Sequence, residues 1–309
     1  MARPVARAAA DFGGVLRRYE GWLASQPLAD RSRDAYLAQV RSFIEWLTAS
    51  DHGGEALSDS RGRDLAVRSY KRHLKTKRKW APTSVNQALA AIDNFYRSLG
   101  LGRPEVPREG LAQVAPRALE AEEQRAFLRA VERCPSPRDR AIATVFFYTG
   151  LRLSELAALD VGDVSMSARR GRLRVRSGKG DAYREVPLNS VCRAALAEWM
   201  IVRARQLSTL AVLEDVEDEM NALWLSRTDA RMGTRAVDLV VRRLAKDAGV
   251  ELSAHVLRHT CITNLIRSGA DVVLVADIAG HRRLDTTRRY SLPSEADRDA
   301  AVEAALVEL

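Results

Sequence analysis

Between Gly100 and Pro116 the chain loses every regular pattern. The stretch GLGRPEVPREGLAQVAP carries three glycines and three prolines, and no helix or strand period runs through it. In a chain of 309 residues, a break of this kind separates two cores rather than interrupting one. The boundaries read as a helical domain over 1–103, a linker over 104–116 and a second domain over 117–309. A linker of this composition lets two units close around a bound partner.

The first domain reads as four helices. Leu16, Tyr19 and Leu23 recur at helical spacing within Phe12–Ser25. Asp30 is placed to cap a second helix, whose stripe is Tyr36, Val40, Phe43 and Leu47, and His52-Gly53-Gly54 is its stop signal. A third runs over Leu65–Leu74. Pro82 suits the first turn of a fourth, with Val85, Leu89, Ile92 and Phe95 on one face. Residues 1–100 hold 17 Lys and Arg against 10 Asp and Glu, so most of the chain's net charge of +9 sits here. That imbalance points to a polyanionic partner, nucleic acid first. The densest basic run, KRHLKTKRKW, offers Lys71, Arg72, Lys75, Lys77, Arg78 and Lys79 to a DNA backbone; its plainer reading is a solvated helix end.

Other classes are disfavoured. No apolar run reaches membrane-spanning length; AIATVFFYTGL fits a core helix instead. The start MARPVARAAADF lacks an apolar signal core. Cys134, Cys192 and Cys261 have neither metal-site nor disulfide spacing, which suits a reducing cytoplasm. The expectation is a cytoplasmic, nucleoid-associated protein with no membrane partner.

The second domain opens with a helix over Glu120–Val131 and a nearly all-apolar one over Arg138–Tyr148, hence buried. Thr149-Gly150 ends it, and Arg152 and Glu155 stand at the start of the next. They form either a simple ion pair or a phosphate clamp in which Glu155 orients Arg152. Two short alternating segments, Leu173–Arg176 and Tyr183–Leu188, flank a Gly-Lys-Gly tip and read as a β-hairpin with Lys179 at its apex. Such a lysine is ordinarily just exposed. Here the chain has 43 Arg and only 6 Lys, and Lys, unlike Arg, can give up a proton when its pKa is lowered. Then follow a helix over Ser190–Arg205, a strand over Ala222–Ser226, and a helix over Thr234–Ala248 whose Arg242 and Arg243 are exposed or face DNA. The fold class is mainly α with a small β-hairpin or sheet.

The stretch SAHVLRHTCITNLIRSGADVVLVADIAGHRRLDTTRRY, Ser253–Tyr290, concentrates the chemistry. Ser253 suits a helix cap, and His255 and Arg258 lie three apart near that helix start, where unpaired N–H groups and the positive dipole end favour a phosphate. A second helix stops at Gly280, His281 follows, and Tyr290 comes nine residues later. Two His, Arg and Tyr make a phosphoryl-transfer set with Tyr as nucleophile. Taken singly, each is as easily a capping histidine or an interface aromatic.

The ordered set TGLRLSEL, SGKG, HVLRHT, AGH and the following Tyr290 resembles the tyrosine recombinase (phage-integrase-like) family, which includes XerC and XerD recombinases and mobile-element integrases. The resemblance spans almost the whole chain: a helical, SAM-like core-binding domain, a linker and an α+β catalytic domain. It implies that Arg152 and Arg258 bind the phosphate, Lys179 is the hairpin lysine, His255 and His281 are the active-site histidines, and Tyr290 is the nucleophile. His259 reads as a supporting or core residue. Ala254 and Arg282 stand where Pro and Ser are commoner. The implied activity is site-specific DNA recombination through a 3′-phosphotyrosyl link and a Holliday junction, with no cofactor, metal or ATP. The implied partners are double-stranded DNA sites and a homotetramer on two sites, alone or together with a related recombinase. A type IB topoisomerase and a non-catalytic DNA-binding regulator are the competing classes. The acidic tail, with a helix over 294–309, is expected to dock on a neighbouring protomer.

Overall fold

Asp11 and Asp59 each start a helix in the first part of the chain: their carboxylates accept from the Gly14 and Gly62 amides at 2.8 and 2.7 Å, satisfying donors that a helix start leaves open. The computed structural model describes residues 11–50, 55–57, 59–111, 116–176, 183–210, 220–281 and 284–291, with positions 299, 302 and 305. The chain separates into two units, Met1–Ala112 and Gln113–Leu309, each with its own apolar cluster.

The first unit contains α1 (Phe12–Ala24), α2 (Asp30–Thr48), α3 (Ser60–Thr76) and α4 (Pro82–Ser98). Its core is a set of rings. Phe43 lies 5.0 Å from Tyr70 and Tyr19 meets Phe95 edge-on at 5.4 Å, contacts that add to the burial of the aromatic surface. Two details depart from the sequence reading. Asp30 lies within the first turn of α2 while Ala29 occupies the cap position without a side-chain bond. α3 begins five residues earlier than its apolar stripe, because Asp59 caps it. The basic run therefore covers the end of α3 and the turn after it. Residues 103–109 lie along α3 and α4: Lys71 donates to the Pro107 carbonyl at 2.5 Å, and Asn86 exchanges bonds with the Glu109 backbone at 2.8 and 2.9 Å.

The second unit is built around α6 (Pro137–Thr149), which packs against α5 (Ala121–Arg133), α8 (Ser190–Leu210), α9 (Thr234–Asp247) and α10 (Ala254–Arg267). The nearly all-apolar sequence of α6 from Ala141 onward follows from its burial among these helices. After α7 (Leu153–Ala157), three antiparallel strands β1 (Val164–Met166), β2 (Gly171–Arg176) and β3 (Tyr183–Pro187) form a sheet in the order β1-β2-β3. β1 adds a strand to the expected hairpin. Alternation along β2 buries Leu173 and Val175. The hairpin tip with Lys179 lies outside the described residues, as does the tail helix expected over 294–309 apart from positions 299, 302 and 305.

Ala222–Ser226 is not a strand, contrary to its pattern. It makes only isolated bridges, Asp160 with Ala222 and Leu225 with Arg231. Two of its carbonyls are taken by side chains instead of a ladder: Trp199 Nε1 donates to Leu223 at 2.8 Å and Arg203 Nε to Ala222 at 2.8 Å. The chain then runs through α10, α11 (Val272–Ala279), α12 (Leu284–Arg288) and a 3₁₀ turn, Arg289–Ser291.

Candidate active site

Two helix ends with left-handed glycines create the acceptors around which the site is arranged. Gly150 closes α6 at φ 61° and Gly280 closes α11 at φ 64°; glycine takes this conformation at no steric cost. Arg258, on α10, is only 4% exposed. Its guanidinium donates to the Gly150 carbonyl and, at 2.6 Å, to the Ala279 carbonyl. Burial first, then the nearby Arg152 charge, push its pKa down to about 10, so it stays protonated at neutral pH.

The end of α11 holds two further arginines. Arg152 Nη2 donates to Gly280 at 2.8 Å and Arg184 Nε, from β3, to Ile278 at 2.9 Å. Three consecutive carbonyls, Ile278, Ala279 and Gly280, thus each receive one guanidinium. These are the unpaired acceptors of a helix C-terminus, where the dipole favours cations. Glu155 ties two of the three together. Its Oε1 accepts from Arg152 Nη1 at 2.7 Å and from Arg184 Nη1 at 3.0 Å; its Oε2 accepts from the Arg152 amide and from Arg184 Nη2, both at 2.8 Å. Burial alone would raise the Glu155 pKa, but the hydrogen bonds from Arg184 and Arg152 outweigh it and hold it at about 2.

Tyr290 is 7% exposed, and its ring clusters with Ile262, Val275 and Ala279. Its hydroxyl lies 2.6 Å from His259 Nδ1. Burial raises the Tyr290 pKa, opposed by Arg258. His281 stacks on the same ring at 6.1 Å and 15°, and its Nδ1 lies 2.7 Å from Oγ1 of the fully buried Thr287. His259 and His281 are both driven to a pKa of about 4, by desolvation first and then by neighbouring positive groups, His255 for the former and Arg258 for the latter. Both rings are therefore neutral at pH 7.

The structure brings Arg152, Glu155, Arg258, His281 and Tyr290 together. His255 and Arg258 differ in exposure: His255 is exposed and meets His259 edge-on at 5.3 Å, while Arg258 is buried. Ser253 occupies the cap position of α10 without a side-chain cap bond, so it does not anchor the helix as expected. Lys179 lies outside the described residues. Arg242 pairs with Asp238 at 2.6 Å and Arg243 with the buried Asp139. In the first unit Lys71 and Lys75 pair with Glu109 at 2.7 and 2.8 Å, and Arg72, Lys77, Arg78 and Lys79 are exposed. Three residues beside the expected set hold it in place: His259, read from the sequence as a supporting or core residue, and Arg184 and Thr287, which were not singled out. Among the described residues no group of three or more His, Cys, Asp or Glu is placed to hold a metal ion.

The chain matches two family descriptions: Phage integrase family over residues 117–296, and Phage integrase, N-terminal SAM-like domain over residues 16–103. It is 30% identical over 302 residues to Tyrosine recombinase XerA of Thermococcus kodakarensis, covering 95% of this chain and 96% of that protein. It is 33% identical over 223 residues to Tyrosine recombinase XerC of Azotobacter vinelandii, covering 67% and 69%. A similar fold occurs in the XerH site-specific recombinase bound to palindromic difH substrate, a post-cleavage complex, with a TM-score of 0.72, 18% identity and 99% coverage of both chains. The mostly helical architecture with one small antiparallel sheet is that fold. No described helix is long and apolar enough to cross a membrane.

Proposed function

The chain belongs to the phage integrase family and is a tyrosine recombinase, and from that premise we propose that Tyr290 is the nucleophile of site-specific DNA recombination. The carrying observation is the Tyr290 hydroxyl held 2.6 Å from the neutral ring of His259, beside fixed arginines. The phenolic oxygen attacks a DNA phosphorus while the bond to the 5′-oxygen breaks, leaving a 3′-phosphotyrosyl link. The Tyr290 proton passes to His259 Nδ1, which can accept it because the ring is uncharged. His255, exposed beside that ring, assists the transfer. Charge gathers on the non-bridging oxygens as phosphorus becomes five-coordinate, and Arg152 and Arg258 provide permanently charged, pre-positioned donors for it. Glu155 orients Arg152. His281, with Nδ1 engaged by Thr287, presents Nε2 as a further donor. Lys179 protonates the leaving 5′-oxygen. The phosphotyrosyl bond retains the energy of the broken one, so the reaction needs no ATP, and the fixed arginines supply the charge stabilisation a metal would otherwise give.

The partner is double-stranded DNA. A homotetramer, alone or with a related recombinase, assembles on two sites and exchanges strands in pairs through a Holliday junction in the cytoplasm. The basic residues from Lys71 to Lys79, with Arg242 and Arg243, lie along the DNA backbone. A nicked substrate whose short fragment with the freed 5′-hydroxyl diffuses away traps the covalent adduct. Tyr290→Phe removes one oxygen and should retain DNA binding while losing the adduct on a denaturing gel; an adduct formed by the Phe variant refutes the assignment.

A further inference from the structure

Arg184 is unused by the reaction described above, yet its surroundings are specific. It is the second residue of β3, and its side chain is 15% exposed. All three of its nitrogens are engaged by protein acceptors: Nε by Ile278, Nη1 and Nη2 by the two oxygens of Glu155. A guanidinium matches a carboxylate in this two-point manner; an ammonium cannot. Its plane also lies on the backbone of Gly280, where an added Cβ would come within 2.7 Å of Arg184 Cζ. Glycine at 280 is thus required twice, for its backbone angle and for the approach of this side chain.

Arg152 depends on those same two supports. Its guanidinium is fixed by Glu155 Oε1 and by the Gly280 carbonyl, and its side chain is otherwise 44% exposed. Arg258 differs: it is buried and has its own carbonyls, from Gly150 and Ala279. We infer that Arg184 is a positioning residue for Arg152: it holds both the carboxylate and the helix end that aim the Arg152 guanidinium, without touching the substrate itself. The inference rests on the reading that Arg152 serves the scissile phosphate. Loss of Arg184 leaves Glu155 with one partner and lets the last turn of α11 move. Arg152 is then the group displaced, and a misplacement of about 1 Å at a reacting centre costs up to about 100-fold in rate.

The test is a double-mutant cycle with the full chain, in single-turnover cleavage of the nicked substrate. Arg184→Met keeps the bulk of the side chain and removes its donors. Cleavage should slow by about 10- to 100-fold, while the dissociation constant for DNA stays within about twofold. In an Arg152→Ala background the same substitution should cost little more. If the two losses multiply, Arg184 does not act through Arg152 and the inference fails. Arg184→Lys, which keeps the charge and loses the fork, repeats the cycle should the Met variant melt early; it should show the same non-additivity. A substrate with a methylphosphonate at the scissile position separates the underlying reading. With one charged oxygen replaced by methyl, the defects of Arg152→Ala and Arg184→Met should shrink together. A full Arg152→Ala defect on that substrate would overturn the phosphate role of Arg152, whereas the cycle alone decides the role of Arg184.

Discussion

The two units of this chain both present positive charge, but they hold it in opposite ways. In the first, Arg72, Lys77, Arg78 and Lys79 are exposed. Lys71 and Lys75 share one carboxylate, Glu109. In the second, Arg258 is buried on two carbonyls and Arg152 and Arg184 are fixed by Glu155 and the end of α11. Exposed cations suit a polymer of phosphates whose exact position need not be specified. Guanidiniums locked before the substrate arrives suit a single phosphorus whose charge changes during reaction, because no reorganisation is then needed at the transition state. Net charge alone would have ranked the first unit as the more important. Fixation, not amount, distinguishes the second.

The sharpest way to break this contrast is to remove a fixed charge. Arg258→Ala should slow cleavage by ~10²- to 10³-fold, the usual loss for a pre-positioned donor. It should also lower the melting temperature, since Gly150 and Ala279 lose a buried donor, at about 1–3 kcal/mol for each carbonyl left without a partner. Arg152→Ala should lose comparable activity with little loss of stability, because its side chain is 44% exposed. Equal melting temperatures for the two variants would contradict the difference in their burial.

Replacing Lys77, Arg78 and Lys79 together by Ala tests the other side. Binding should weaken and its salt dependence should become shallower by about one unit of log–log slope for each phosphate that the variant no longer neutralises. The single-turnover rate at saturating protein should hardly change. An unaltered salt slope would remove these residues from the DNA interface.

The third expectation concerns acid. The folded chain takes up protons on His259 and His281 only near pH 4, whereas the ordinary value is 6.5. The unfolded chain therefore binds more protons between pH 6.5 and 4, so stability falls as pH drops through that window. Thermal melting at several pH values should show the decline, and His259→Gln should make it shallower. A melting temperature independent of pH over that range would contradict the buried, neutral state of both rings.

The smallest effect is expected at Glu109. Glu109→Gln frees Lys71 and Lys75 for phosphate, so DNA affinity should rise, by up to about fivefold given the modest worth of ion pairs near a protein surface. No change would mean that these two lysines do not meet DNA.

Legibility from the sequence followed the same division. Arg152, His255, Arg258, His281 and Tyr290 could be found because their surroundings are local: a helix stop at Gly150 or Gly280, or a fixed spacing along one stretch. The partners of Arg184, His259 and Thr287 could not be read in this way, because Arg184 and His259 each depend on an element distant in sequence and Thr287 on the turn that follows α11. Arg184 meets Glu155 and Ile278 only once β3 reaches the end of α11, and His259 meets Tyr290 across 31 positions. His259 was legible as a supporting or core residue, but its bond to Tyr290 was not; its place one residue after Arg258, on the neighbouring face of the helix, was the signal for that part. The four helices of the first unit were legible from their apolar stripes. β1 was too short to show a period, and Ala222–Ser226 copied a strand's composition while the Leu223 and Ala222 carbonyls were taken by Trp199 and Arg203.

The most direct test of the account is to identify the covalent junction itself. The wild-type chain, trapped on a nicked substrate and digested with protease, should yield one DNA-linked peptide, and mass spectrometry should place the 3′-phosphate on Tyr290 with a free 5′-hydroxyl on the released strand. Attachment to any other residue, or through a 5′-phosphate, would contradict the arrangement of Tyr290, His259 and the fixed arginines proposed for this site.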